Sequence, residues 1–286
     1  MIGAVRGWWG AEAAASTAWS IPWGGDPEAV RDRLSEALDS RFGFAVVAGF
    51  PVDASRPEES ADAAAHLLGG IGRLLLQGPP ENATPRWLVR DEGTHRFRSD
   101  GGFRRGVYTS KSRDVIDIHN DGAMRPYDHE IDVSALLCVE SAEEGGRTTL
   151  VSAVSAMEVL RREAPDQFAL LCRPFPFERT HVTPPGGSTV VRVPVFEVAG
   201  PRPRVHWNRQ RIDMAELVTG TPLPAAEVAA LDALDEVLAR PGLRYAHTLR
   251  PGELLVLDDR VVLHGRGSFT DGARRRCLVR MLLARD

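Results

Sequence analysis

The stretch LLVLDDRVVLHGRGSF, residues 254–269, holds an apolar run, a polar break at Asp258, Asp259 and Arg260, a second apolar run and an exit punctuated by glycine. Short apolar runs bounded by turn residues read as strands covered on both faces. The pattern extends to both sides, with RYAHTLR (244–250) before it across the turn PGE and RRRCLVRMLLA (274–284) after it. Upstream, FAVVAGF (44–50), RWLVR (86–90), GVYTS (106–110), SALLCVE (134–140) and TTLVS (148–152) read the same way, and residues 189–197 and 204–213 are also expected to be extended. Helical spacing is confined to 26–41, entered through Asp26 and Pro27, to 58–68, to a pair within 153–171, and to 224–238, where Leu231, Leu234 and Val237 share a side. Many short strands on either side of a few helices favour a β-rich α+β fold, barrel-like or jelly-roll, over a parallel α/β fold.

The chain of 286 residues is 43% hydrophobic and shows no break in composition, so a single domain over 1–286 is expected, with 1–20 as a loosely packed N-terminal segment. A formal net charge of −4 gives no electrostatic reason for a nucleic-acid or anionic-membrane partner. Cys138, Cys172 and Cys277 are odd in number and widely spaced, which suits a reducing, cytoplasmic location and no thiolate zinc site. The apolar start MIGAVRGWWGAEAAAS mixes an arginine, two tryptophans and a glutamate, and reads as neither signal peptide nor membrane span. The polar, glycine-bearing segment 90–105 reads as a mobile loop and not as core.

One strand-like run ends in DIHNDGAM, residues 117–124. On a strand, residues two apart share a face, so His119 and Asp121 would project together, and Asp117 would join them. An isolated H-x-D is ordinary where a strand meets a loop. A third candidate ligand, His264 in the opening stretch, completes a set of two histidines and one carboxylate, the donors that suit non-haem Fe(II) with one face left open. The remaining histidines fit structural or surface roles, although His129 in YDHE could mimic a metal pair, and His181 and His206 could line a pocket.

With these residues in place the sequence resembles the Fe(II)/2-oxoglutarate-dependent oxygenases of the taurine dioxygenase and clavaminate synthase type. RFGFAVVAGFP (41–51), HND (119–121), EEGGRTTLVS (143–152), LDDRVVLHGR (257–266) and RRRCLVR (274–280) match that family's segments in order. The resemblance implies a double-stranded β-helix core with flanking helices, Fe(II) held by His119, Asp121 and His264, and 2-oxoglutarate and dioxygen as co-substrates. It implies that Arg276, aided by Thr148, holds the far carboxylate of 2-oxoglutarate, a task suited to guanidinium. It implies that Arg280, on the same strand face as Arg276, holds an anionic group of the substrate, and that Asp213 in QRID holds a polar end. Asp117 could touch substrate or orient a ligand. Asp121 follows the taurine dioxygenase branch, since the other branch often carries glutamate, and a carboxylate here disfavours halogenation.

The implied activity is hydroxylation of an unactivated C–H bond in a small, carboxylate-bearing, amino-acid-like substrate, free or on a carrier protein, coupled to decarboxylation of 2-oxoglutarate to succinate and carbon dioxide. Desaturation or ring closure would use the same ligands. The rivals are a sulfonate or organic-acid catabolic dioxygenase and a non-catalytic, metal-binding jelly roll. Retention of Thr148 and Arg276 speaks against the last.

Overall fold

Apolar runs that alternate between two buried faces build two facing sheets. The structure is a computed structural model and describes residues 7–39, 42–78, 82–93, 109–124, 130–180, 183, 186–200 and 202–285. The chain first forms α1 (Gly10–Ala15), β1 (Ser20–Pro22), α2 (Pro27–Asp39), β2 (Phe44–Ala48), α3 (Pro57–Gly69), β3 (Arg73–Leu74) and β4 (Trp87–Arg90). There follow β5 (Ile116–His119), β6 (Val133–Glu140), β7 (Glu144–Gly145), β8 (Thr148–Ser152), α4 (Ala153–Glu163), α5 (Pro165–Leu171), β9 (Pro174–Glu178), β10 (Val190–Pro194), β11 (Phe196–Glu197) and β12 (Arg204–Val205). The last part holds α6 (Arg209–Thr219), α7 (Ala225–Ala239), β13 (Arg244–His247), β14 (Glu253–Asp258), β15 (Val262–Arg266), β16 (Phe269–Thr270) and β17 (Cys277–Ala284).

The larger sheet runs β1-β2-β14-β6-β17-β3, with β4 also paired to β17, and the smaller one runs β13-β8-β15-β5. Among the described residues only β1 and β2 pair in parallel; the other pairings are antiparallel. Phe44, Val46, Leu136, Cys138, Leu255 and Leu257 point from the larger sheet into the space between the sheets, where Leu150, Tyr245 and Val262 meet them from the smaller. Their neighbours in sequence, Ala45, Val47, Leu137 and Val256, face outward onto α2 and α3 through Val30, Leu34, Leu38 and Leu67. On the far side of the smaller sheet, Val151 and Leu263 pack with Met157 and Leu160 of α4 and Leu234 of α7. Burial on both faces is why these strands read as continuous apolar runs, and each fully buried leucine contributes roughly 1.5–3 kcal/mol. Facing sheets flanked by helices are the expected double-stranded β-helix.

Two expectations are corrected. Residues 204–213 are extended only over Arg204–Val205, because the Asn208 side chain accepts the N–H of Arg211 at 3.1 Å and caps α6, which buries Ile212, Met214 and Ala215 at helical spacing. Within 106–110, Thr109 and Ser110 open a single 3₁₀ turn, Thr109–Lys111, and 106–108 lie outside the described residues. Within the N-terminal segment expected over 1–20, of which residues 7–20 are described, Trp8 is 1% exposed, donates from Nε1 to the Phe42 carbonyl at 2.8 Å and accepts from Ser155 Oγ at 2.8 Å through its own carbonyl. Most of the loop expected over 90–105 lies outside the described residues, as does His129. No helix among the described residues is long and apolar enough to cross a membrane, and all three cysteines are free thiols.

Glu178 of β9 is completely buried and accepts from Arg211 of α6 and from the Thr180 N–H, the latter at 2.6 Å. Burial works against its charge, but Arg211 and Thr180 together hold its carboxyl below the usual range. Arg211→Met would leave this carboxylate buried and is expected to lower stability by about 3 kcal/mol, measured by urea unfolding at pH 7. Because the folded pKa lies below the unfolded value near ~4.3, the parent keeps this contribution above that pH and loses it as pH falls through the folded pKa.

Candidate metal centre and adjoining cavity

β5 and β15 lie side by side, with His119 and His264 as direct register partners. Their ring centroids are 4.5 Å apart. His119 Nδ1 donates to the Asp117 carbonyl at 2.8 Å, which fixes the tautomer and leaves Nε2 as a free lone pair. Desolvation lowers the pKa of His119, and burial together with His119 pushes His264 down to about 3, so both imidazoles are neutral at pH 7, as metal ligands must be.

Strand alternation does not deliver Asp121, since β5 ends at His119. A buried turn does. Asn120 donates from its backbone N–H to the Trp207 carbonyl at 3.0 Å, and its side chain bonds the Trp207 N–H, the Val205 carbonyl and the Asp259 carbonyl. The Asp259 carboxylate, 0% exposed, accepts from the N–H of Asp121 at 3.0 Å and of Gly122 at 2.7 Å. A Cβ on Gly122 would come within 3.0 Å of Asp259 Oδ2, so glycine suits this close approach. The turn brings Asp121 Oδ2 to 3.7 Å from His264 Nε2, and one ligand atom from each of His119, Asp121 and His264 falls within 4.8 Å of the others.

The Asp121 carboxylate is held at both oxygens, by Ser134 Oγ at 2.5 Å on Oδ2 and by Arg280 Nη1 at 2.5 Å on Oδ1. Burial opposes its charge, but Arg280, with the Ser134 hydroxyl, keeps the carboxyl far below the usual range. Burial and the neighbouring Asp121 push Asp259 up to about 7, against its three N–H donors. Two neutral imidazoles and one anionic carboxylate, clustered with His119 half-buried and Asp121 and His264 buried, fit a divalent transition metal such as Fe(II).

The same cavity is lined by Thr148, Arg266, Arg276 and Arg280 beside His119 and His264. Arg276 precedes β17, and burial lowers its pKa to about 10; Nη1 is buried with no hydrogen-bond partner. Arg280 of β17 opens onto the same cavity, but its Nε donates to Gln77 Oε1 at 2.8 Å while Nη1 engages Asp121. Two expected residues are not at the cavity by their side chains. Asp213 lies on the exposed side of α6 in an ion pair with Arg209 at 2.8 Å, because the Asn208 cap turns this segment into helix. Asp117 points to solvent and serves His119 through its backbone carbonyl instead. His206 is buried, 3.4 Å from Glu197, and His181 lies outside the described residues.

The motif reading passes over Asn120, Ser134, Gln77, Asp259 and Arg266. Arg266 carried a usable signal, since it stands two residues after His264 on one strand. Asp259 sits in the quoted LDDR, but nothing in the sequence marks it as the buried one that grips the turn.

The family model described as taurine catabolism dioxygenase TauD, TfdA family matches residues 5–282. The FR-33289 synthase of Streptomyces rubellomurinus (strain ATCC 31215) is 28% identical over 239 residues, 82% of this chain and 66% of that protein. The uridine-5'-phosphate dioxygenase of a Streptomyces species is 35% identical over 170 residues, 57% of this chain and 60% of that protein. The chain thus spans no more than 66% of the length of either relative. Among solved structures, asparagine oxygenase in complex with Fe(II), 2S,3S-3-hydroxyasparagine and succinate superposes with a TM-score of 0.67 at 22% identity, over 91% of this chain and 81% of that one, and supports the same fold.

Asp259→Ala is expected to weaken divalent metal binding roughly 10- to 100-fold by freeing the turn that carries Asp121, read by titrating the apo-protein with Co(II). Unchanged affinity would show that Asn120 alone holds the turn.

Proposed function

Since this chain belongs to the TauD/TfdA dioxygenase family, we propose that it is an Fe(II)/2-oxoglutarate-dependent dioxygenase that hydroxylates an unactivated C–H bond of a small, carboxylate-bearing, amino-acid-like substrate. The observation that carries the reading is the opening of one cavity onto both His119 and His264 of the metal cluster and the buried cationic residue Arg276 with Thr148. A bare metal site has no use for a desolvated guanidinium beside it; a 2-oxo acid with a second carboxylate does.

In this reading His119, Asp121 and His264 are the iron ligands. His119 presents Nε2 because its other nitrogen is tied to the Asp117 carbonyl, and Asp121 is aimed by Ser134 and Arg280. When bound there, Fe(II) with 2-oxoglutarate and dioxygen supplies the oxidising power, as decarboxylation of the 2-oxo acid to succinate and carbon dioxide is coupled to substrate hydroxylation. Thr148 and Arg276 hold the distal carboxylate of 2-oxoglutarate. Val89, Ile116 and Leu136 line the same cavity and limit water around it. Arg280 still has N–H groups beyond those given to Gln77 and Asp121, and these hold the carboxylate of the substrate.

A second reading, a sulfonate or organic-acid dioxygenase on the same scaffold, is favoured by one observation: Asp213, the residue expected to hold the polar end of an amino acid, lies away from the cavity in its ion pair with Arg209. A panel of free amino acids, aminoacyl carrier thioesters, sulfonates and organic acids, scored by substrate-dependent succinate release, separates the two.

Anaerobic addition of Fe(II) and 2-oxoglutarate is expected to give a visible metal-to-ligand charge-transfer band, absent in His264→Ala. No band despite bound metal would favour the non-catalytic reading. Arg280→Ala is expected to raise KM for the true substrate about 30-fold or more, the weight of a charge-assisted hydrogen bond, read by initial-rate kinetics. An unchanged KM would remove Arg280 as the substrate anchor.

A further inference from the structure

Arg266 and Arg276 are 6% and 5% exposed, and their guanidinium carbons lie 4.9 and 5.1 Å from the centroid of one shared ring, Phe269. Arg266 enters the cavity from β15, directly opposite Thr148 of β8 in register. Its Nη2 donates to the carbonyls of Ser112 at 2.7 Å and Asp114 at 2.6 Å, while its Nε and Nη1 are buried with no acceptor. Nη1 of Arg276 is in the same condition. Asp271, close to Arg276 in sequence, accepts from the backbone N–H of Arg276 at 2.9 Å. Among the described residues neither guanidinium takes part in an ion pair. Two like charges buried around one ring with unclaimed donors are unfavourable until an anion joins them.

We propose that Arg266 is a second binding residue for the distal carboxylate of the 2-oxo acid, so that this carboxylate lies between two guanidiniums, Arg266 and Arg276, with Thr148 beside it. The inference rests on the 2-oxoglutarate reading above and adds a cation to the co-substrate site. One guanidinium can hold a carboxylate by itself; two set a stronger demand for a dicarboxylic over a monocarboxylic 2-oxo acid. Arg266 also ties the site to the carbonyls of Ser112 and Asp114, just before β5 and its histidine.

The test is calorimetric titration of the anaerobic, Fe(II)-loaded protein with 2-oxoglutarate and with 2-oxopentanoate, which has the same chain length and no distal carboxylate. Arg266→Met is expected to weaken 2-oxoglutarate binding roughly 10- to 100-fold and to leave 2-oxopentanoate within about twofold of the parent. Arg266→Lys keeps a charge beside Phe269 but loses the planar fork, and is expected to lose several-fold affinity for 2-oxoglutarate alone; it carries the test if the Met variant does not fold. The proposal is overturned if both variants bind 2-oxoglutarate as the parent does while Arg276→Met does not. It is equally overturned if affinity for both 2-oxo acids falls in parallel, which would make Arg266 a support for residues 112–114 only. A parent that binds Fe(II) but neither 2-oxo acid would instead sink the 2-oxoglutarate reading itself.

Discussion

The carboxylate of Asp259 takes the backbone N–H groups of Asp121 and Gly122 and the side-chain amide of Asn120, and the candidate site depends on that grip. Asp259 stands where the chain leaves β14 in one sheet to enter β15 in the other. The crossing that carries Asp259 therefore also carries His264, five residues on. Facing it, β5 stops at His119, and the turn that follows would be free to point Asp121 elsewhere without an acceptor for its two N–H groups. A buried carboxylate with three N–H donors is an unusually stiff hinge pin for a ligand.

Charge in the cavity is arranged around the same residues. Asp121 is counterbalanced by Arg280, which Gln77 orients from a buried position of its own. Farther along the cavity the balance fails on the positive side at Arg266 and Arg276. A site that is neutralised at one end and electropositive at the other selects both where an anion enters and which way round it lies. Burial strengthens each of these interactions by removing the water that would screen them.

Much of this was legible in the sequence where local chemistry decides the outcome. Apolar runs between turn residues gave the strands, and His119, His264 and Arg280 open onto one cavity from paired strands, while Asp121 of the H-x-D pair is brought beside them by the buried turn. Legibility stopped where packing decides. QRID looked extended, yet Asn208 offers a cap and Ile212, Met214 and Ala215 offer a buried stripe, so helix wins and Asp213 turns to solvent. Asp117 has the alternation of a ligand neighbour, but its carbonyl does the orienting. Asp258 and Asp259 are adjacent and chemically identical; only the folded chain shows that the second grips the turn while the first binds Arg260 at 2.7 Å.

The pairing of β2 with β14 has a consequence for how the protein is made. One edge of the strand Phe44–Ala48 pairs with the early β1, but its other edge is covered by Glu253–Asp258, and β14 in turn is the strand that joins β2 to β6. During synthesis the apolar FAVVA segment therefore leaves the ribosome long before the strand that will cover its edge exists. Contacts of such long sequence separation make for slow folding and a prolonged interval of exposed strand edge. His264, the last residue of the candidate metal centre, arrives in the same late hairpin, so a metal held by all three side chains could not template the early steps, and one edge of β2 waits for β14 to emerge.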